Sequence, residues 1–355
     1  MRRFTRLAPV LLAGALLATG CGGETSETEN PPTTGGATGA ATTPAAATLK
    51  VGLAYDIGGR GDKSFNDAAA AGLDKAEQEI GIEPKELEAA SGESDADKES
   101  RLRLLAQQDF NPIIAVGFAY ATALGKVAPE FPDTKFAIVD DGSVEGDNVA
   151  NLIFAEEQGS FLVGAAAGLK TKTNKVGFVG GVETPLIQKF EAGFDAGVKQ
   201  TNPEAEVVVQ YLTQAPDFTG FTDPAKGKAA AEGMYDADAD IVYHAAGGSG
   251  TGVFEAAKAA DALAIGVDSD QYETVDASLQ DVIMTSMLKK VDVAVFDFIS
   301  SVSDDTFTAG PSIYDLARDG VGYSTSGGKI DDIVPQLEEL KQQIISGEIS
   351  VPDAP

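Results

Sequence analysis

The chain has 355 residues, a net charge of −29 and a single cysteine. So acidic a surface repels phosphate backbones, which excludes nucleic acid as a partner, and one cysteine excludes an internal disulfide. Acidity of this kind reads as a solubility feature rather than a functional one.

In chain order, Arg2, Arg3 and Arg6 precede the apolar run LAPVLLAGALLA, which is too short to span a bilayer and reads as an export signal over residues 1–20. Its end, LATGC, is similar to the lipobox at which bacterial lipoproteins are cleaved and lipidated, with Ala18 where leucine is usual. This predicts lipidation of Cys21 and a location on the extracytoplasmic face of a bacterial cell membrane. Loss of the leader removes three arginines and no acid, taking the charge from −29 to −32. Residues 21–48, dominated by Gly, Thr, Pro and Ala, then read as a lipid anchor followed by a flexible tether.

From Leu49 onward, short β-branched runs alternate with alanine-rich helical stretches: KVGLAYD, then a segment with Ala69, Leu73, Ala76 and Ile80 at helical spacing, then PIIAVG, KFAIVD, KVGFVG, AEVVVQY, DIVYHAA and LAIGVD. Strands apolar on both faces and joined by helices imply parallel sheets covered on both sides. The number of strands implies two doubly wound α/β lobes, with crossings near residues 151–159, near 268–273 and after 306–312. The expected division is 49–153 plus 271–307 for the N-terminal lobe and 154–270 plus 308–355 for the C-terminal lobe. A (β/α)8 barrel is the rival, disfavoured by an apparent hairpin formed by KFAIVD and NVANLIF.

In open parallel sheets the ligand site lies beyond the carboxyl ends of the strands. Those ends carry Asp56 with the loop GGRGDKSFN, Asp140 and Asp141, Gly180 and Gly181, the run Gly247 to Gly252, and Asp268. Glycines let a backbone approach a ligand, whereas the acids oppose an anion, so a neutral ligand rich in hydroxyl and N–H groups fits. GGSGTG lacks the dinucleotide spacing, the P-loop pattern is absent, and no cofactor is expected. Asp95, Asp97 and Glu99 read as a helix start rather than a calcium loop. His244, the only histidine, reads as a satisfied core imidazole within a strand; no nucleophile triad or metal spacing is present. A hydrolase working with a carboxylate pair stays open as a second reading.

The motifs DIGGRGDKSFN (56–66), EEQGSFLVGAAAG (156–168), GFVGG (177–181), KFEAGFDAGV (189–198), AAGGSGTGVFEAA (245–257), GVDSDQ (266–271) and TSMLKKVDVAV (285–295) occur in this order. Through them the chain from Leu49 to Pro355 resembles the basic membrane protein family, lipoproteins that bind purine nucleosides for ABC transporters. The resemblance implies a type I periplasmic-binding fold, two lobes closing on a ligand around a hinge, no enzymatic activity, and a monomer that serves a permease with a cytoplasmic ATPase. It implies that Phe65 and Phe190 sandwich the base, that Asp56, Asn66 and Asp140 lie around its edge, and that Asp268 and Lys289 hold the ribose hydroxyls beside the Gly247–Gly248 backbone. Lys290 is the alternative lysine, and Arg60, Asp62 and Lys63 are rim or loop-fixing charges. A sugar or an autoinducer-like ligand on the same fold remains the close alternative.

Overall fold

The computed structural model describes residues 48–90 and 92–355. The export signal and the predicted lipidation of Cys21 lie outside the described residues, as does nearly all of the tether.

Two six-stranded sheets are built from one repeated pattern. The first contains β1 (Lys50–Ala54), β2 (Glu83–Leu87), β3 (Ile113–Ala115), β4 (Phe136–Val139), β5 (Val149–Phe154) and β11 (Gly310–Tyr314). Its order is β11-β5-β4-β3-β1-β2, with every neighbouring pair parallel. The second contains β6 (Lys175–Glu183), β7 (Glu206–Gln214), β8 (Ile241–Ala245), β9 (Leu263–Asp268), β10 (Ile283–Lys289) and β12 (Val321–Tyr323). Its order, β12-β10-β9-β8-β6-β7, repeats the first, except that β12 runs antiparallel to β10. Both sheets are open, so the barrel alternative falls.

The strands are short apolar runs. β4 (FAIV) and β8 (IVYHA) are buried at every position, as expected of strands covered on both faces. The covering helices are α1 (Phe65–Glu79), α2 (Asp95–Gln107), α3 (Ala121–Val127), α4 (Glu156–Lys170), α5 (Pro185–Thr201), α6 (Pro224–Asp236), α7 (Gly250–Ala260), α8 (Gln271–Thr274), α9 (Val291–Ser303) and α10 (Val334–Ile345). Ser94 caps α2 in a box with Asp97, whose carboxylate accepts from the Ser94 amide at 2.8 Å, so the acid-rich segment is indeed a helix start. Among the described residues no helix is long and apolar enough to cross a membrane.

The chain passes between the sheets after β5, after β10 and after β11. The second passage therefore lies near Lys290, not near residues 268–273: α8 and β10 stay with the second sheet, and β11 returns to the first. The lobe division expected from sequence differs at both places, because successive apolar strands look alike locally and sheet membership follows from which open edge a strand can reach. KFAIVD and NVANLIF are likewise no hairpin; β4 and β5 pair in parallel, Phe136 opposite Val149, since residues 140–148 carry the chain back to the start of the sheet. Helix α4 packs against α5 at backbone distance: a Cβ on Gly193 would lie 2.1 Å from the Glu157 carbonyl oxygen, so glycine is required there.

Candidate functional site

The loop after β1 is organised by Asp62. Its carboxylate accepts from the amides of Ser64 (2.9 Å), Asn66 (2.9 Å) and Asp67 (3.1 Å), and from the Asn66 side chain at 3.0 Å. Asp62 thus satisfies the free donors at the start of α1, a task that neither Asp56 nor Asn66 performs. Asp67 accepts in turn from the amides of Gly61 (2.6 Å) and Lys63 (3.0 Å). Asn66 is buried and uses both ends of its amide within the loop: Oδ1 accepts from the Asp56 amide at 3.0 Å, and Nδ2 donates to the Ile57 carbonyl at 3.3 Å. Arg60 pairs outside with Asp74 (2.5 Å) and Glu86 (2.8 Å).

This loop sets Asp56 and Phe65 against a cleft between the lobes. The cleft holds about 580 Å³ of empty space, its opening to solvent included, and all nine residues named as ligand contacts from the sequence line it: Asp56, Phe65, Asn66, Asp140, Phe190, Gly247, Gly248, Asp268 and Lys289. Apolar walls come from Phe65 at the first turn of α1 and Phe190 in α5. Phe118 and Phe221 complete them and were missed in the sequence. Phe118 follows the end of β3, so reading every strand end would have found it. Phe221 comes from the β7–α6 connection and carries no such signal. The Gly117 that precedes Phe118 has φ +98°, and a Cβ on it would lie 2.6 Å from Asp56 Oδ2, so only glycine permits this approach.

The polar groups fall into two clusters joined through Ser64, whose amide donates to Asp62 and whose hydroxyl donates to Asp268. One holds Asp56, Asp62 and Asn66. Burial pushes the carboxyls of Asp56 and Asp62 up to about 6; hydrogen bonds from the loop amides only partly oppose this. In the other, Lys289 Nζ lies 2.6 Å from Asp140 Oδ2 and 3.1 Å from Glu156 Oε1, with Asp268 close by. Asp140 is thus held by the lysine, whereas the resemblance groups it with Asp56 and Asn66. Burial pushes Asp140 up to about 7 against the pull of Lys289, and it raises Asp268 as well. The Glu156 carboxylate adds a smaller upward push to both, since one ammonium faces three buried carboxylates. Burial also works against the Lys289 charge, but those three carboxylates outweigh it and hold its pKa above the usual lysine value. Lys289 Nζ sits 5.1 Å from the Phe65 ring centre and 5.5 Å from that of Phe190, and Asp140 Oδ1 is buried without a protein partner. Lys290 does not line the cleft.

Asp140 and Asp268 follow and end strands in equivalent places of the two sheets and share a left-handed backbone, φ +67° and +64°. Such a conformation is sparsely populated for a non-glycine residue and clusters at functional sites. Asp268 accepts from the Ser64 hydroxyl at 2.5 Å across the lobes. Beside it the Lys63 carbonyl accepts from Gln271 Nε2 (3.0 Å) and Ser269 Oγ (3.1 Å), and Lys63 Nζ donates to the Thr274 carbonyl (2.9 Å). Lys63 thus bridges the two lobes. Glu156, absent from the predicted set, joins the cleft lysine to Lys189 at 3.3 Å; its place at the start of a helix gave no hint of a lysine 133 positions later.

His244 is fully buried in β8, edge-on to Phe254, and burial lowers its pKa to about 4, so it is neutral. It is a core residue, as expected, but neither ring nitrogen has a protein hydrogen-bond partner. Among the described residues no cluster of three or more His, Cys, Asp or Glu side chains is arranged to hold a metal.

Two α/β lobes enclosing an aromatic cleft with two polar clusters define an extracytoplasmic-type solute-binding protein. A family model described as Bmp, ABC transporter substrate-binding protein PnrA-like, matches residues 49–354, and the chain belongs to that family, whose members bind solutes for ABC transporters and are not enzymes. The chain is 39% identical over 324 residues to a CD4+ T-cell-stimulating antigen of Listeria monocytogenes, covering 86% of this chain and 88% of that one. It is 34% identical over 326 residues to the ABC transporter nucleoside-binding protein BmpA of Lactococcus lactis, covering 86% and 89%. Among solved structures, an ABC transporter solute-binding protein from Aeropyrum pernix superposes with a TM-score of 0.74 at 32% identity, covering 86% of this chain and 94% of that one.

Proposed function

We propose that this substrate-binding protein captures purine nucleosides in the interlobe cleft and delivers them to an ABC permease driven by a cytoplasmic ATPase, acting as a monomer anchored to the outer face of the cell membrane through Cys21. The observation that carries the reading is a single cleft lined by four phenylalanines and by two chemically different polar clusters, the Asp56 loop and the group of Lys289, Asp140 and Asp268. A purine is planar and lies between Phe65 and Phe190, where aromatic pairing adds ~0.5–1.5 kcal/mol beyond area burial. Its ring and exocyclic N–H groups donate to Asp56, with the Asn66 amide holding that loop in place. The ribose hydroxyls meet Asp268, Asp140 and Lys289, a set that both accepts and donates. The nucleoside-binding relative from Lactococcus lactis supports the same ligand class.

Calorimetric titration of the chain with guanosine, adenosine, cytidine and ribose, with the recovered ligand examined by chromatography, tests the reading. A purine nucleoside bound one-to-one and returned intact supports it. Ribose bound as tightly as the nucleosides moves the ligand to the sugar class, and a nucleoside returned cleaved refutes a binding role. For the anchor, Cys21→Ser should move the protein from the membrane fraction to the medium or periplasm; unchanged fractionation refutes it.

A further inference from the structure

Beyond Asp56 the cleft continues into a second chamber of about 700 Å³, which shares Asp56, Ile57 and Phe221 with the first. Its walls come from both lobes, with Lys98 and Ala119 on one side and Pro216 and Phe218 on the other. The Phe118 and Phe218 rings meet edge to face at 5.8 Å, one lining each chamber, so an aromatic sill separates the two spaces where Asp56 does not.

The charges here are not all engaged. Glu93 is bound by the guanidinium of Arg101, its Oε1 accepting at 3.0 Å, and Asp217 accepts from the Thr219 amide at 3.0 Å. Lys98 is only 8% exposed, yet its ion-pair partner Asp95 stands 3.9 Å away, beyond hydrogen-bond distance. The chamber therefore offers a sheltered donor in Lys98, an acceptor in Asp56 at its inner end, and the apolar faces of Ile57, Phe218 and Phe221 between and around them.

We propose that this chamber receives a substituent carried on the exocyclic amine of the purine, so that base-modified nucleosides are ligands of the same cleft. The inference rests on the nucleoside reading, in which the polar edge of the base faces Asp56. A singly substituted amine keeps one N–H to donate to Asp56, and its substituent then passes the carboxylate into the second chamber. The group that fits is uncharged: apolar against Ile57 and the phenylalanines, with any acceptor turned to Lys98. An anionic group meets Asp56 and Asp217, whereas a cationic one is drawn to those acids but leaves the buried Lys98 without an acceptor.

The test is titration of the full chain with adenosine and guanosine, and with the N6-benzyl, N2-benzyl and N6,N6-dimethyl derivatives. The singly benzylated form of the preferred parent should bind within about tenfold of it, a difference near 1.4 kcal/mol. If adenosine is the parent, the dimethyl derivative should bind less tightly than the benzyl one despite its smaller size, because it has no N–H left for Asp56. Ala119→Trp and Thr219→Trp, which fill the second chamber from opposite lobes without lining the first, should weaken the benzyl ligand by about tenfold or more and leave the parent unchanged. Binding of the parent with loss of more than about a hundredfold on benzylation overturns the inference. So does a benzyl ligand indifferent to both tryptophans. If neither parent binds at all, the nucleoside reading itself has failed and this inference falls with it, a result distinct from selective rejection of the substituted ligands.

Discussion

The two lobes repeat one strand order, yet they equip the cleft differently. In the first, ten residues separate β1 from α1, and Asp62 and Asn66 tie them into a hydrogen-bonded loop that presents Asp56 and Phe65. At the equivalent place in the second, β6 gives way to α5 after Thr184 alone, whose hydroxyl caps the helix, and the cleft receives Leu186, Ile187 and Phe190 from the helix itself. Where the lobes do match, at Asp140 and Asp268, they share a left-handed turn, an acid and the nearby Lys289 charge but not a hydrogen-bond partner: Asp140 accepts from Lys289 and Asp268 from Ser64 of the opposite lobe. The repeated topology supplies the positions, and the unequal loops supply the chemistry.

Removing the cation common to the matched acids breaks this comparison most severely. Lys289→Met leaves Asp140, Glu156 and Asp268 buried without their ammonium and should cost ~3–5 kcal/mol of stability, read as a fall in denaturant midpoint. A loss under ~1 kcal/mol would mean that the carboxylates are already neutral or solvated. The aromatic pair comes next. Phe65→Ala or Phe190→Ala should weaken purine nucleosides by at least about tenfold while leaving ribose affinity unchanged, and equal losses for both ligands would remove stacking from the account.

Substituting the matched acids one at a time sharpens the comparison further. Asp268→Asn should reduce ribonucleoside affinity by about five- to tenfold and spare free bases, consistent with loss of a charge-assisted hydrogen bond worth ~1–1.5 kcal/mol. Asp140→Asn should follow Asp268→Asn if Asp140 belongs to the sugar end, and should penalise free bases if it reads the base. The smallest effect expected is on pH dependence. Asp140 is raised to about 7 and Asp56 to about 6, so the folded chain binds protons that the unfolded chain has released between about pH 4 and 7. Their contribution favours folding at low pH and is lost as pH rises through those values. The ligand-free melting temperature should therefore fall from pH 5 to pH 8, and Asp140→Asn should flatten that slope; a slope unchanged by the substitution refutes the assignment to Asp140.

Much of this architecture was legible before any coordinates. Runs such as FAIV and IVYHA announce doubly covered strands, and the rule that ligands gather at strand carboxyl ends picked out Asp56, Asp140, Gly247 and Asp268, which do meet in one cleft. Less legible was how polar groups are spent. The resemblance gives Asn66 as a ligand contact, and the fold adds a second task, since its amide holds the Asp56 and Ile57 backbone. Asp62 reads as either a rim or a loop-fixing charge, and its carboxylate holds the loop together.

The sequence alone determined the alternation of strand and helix, the turns that need glycine, and the acids and aromatics brought to the strand ends, because each depends on residues within a few positions of one another. Tertiary structure decided which sheet β10 and β11 would join, that Asp140 would stand with Lys289 and Glu156, and that Phe118 and Phe221 would close the aromatic wall. Those choices join residues up to 160 positions apart, and they follow from which edges, charges and ring faces remain to be satisfied once the lobes have packed, a condition that local periodicity does not carry.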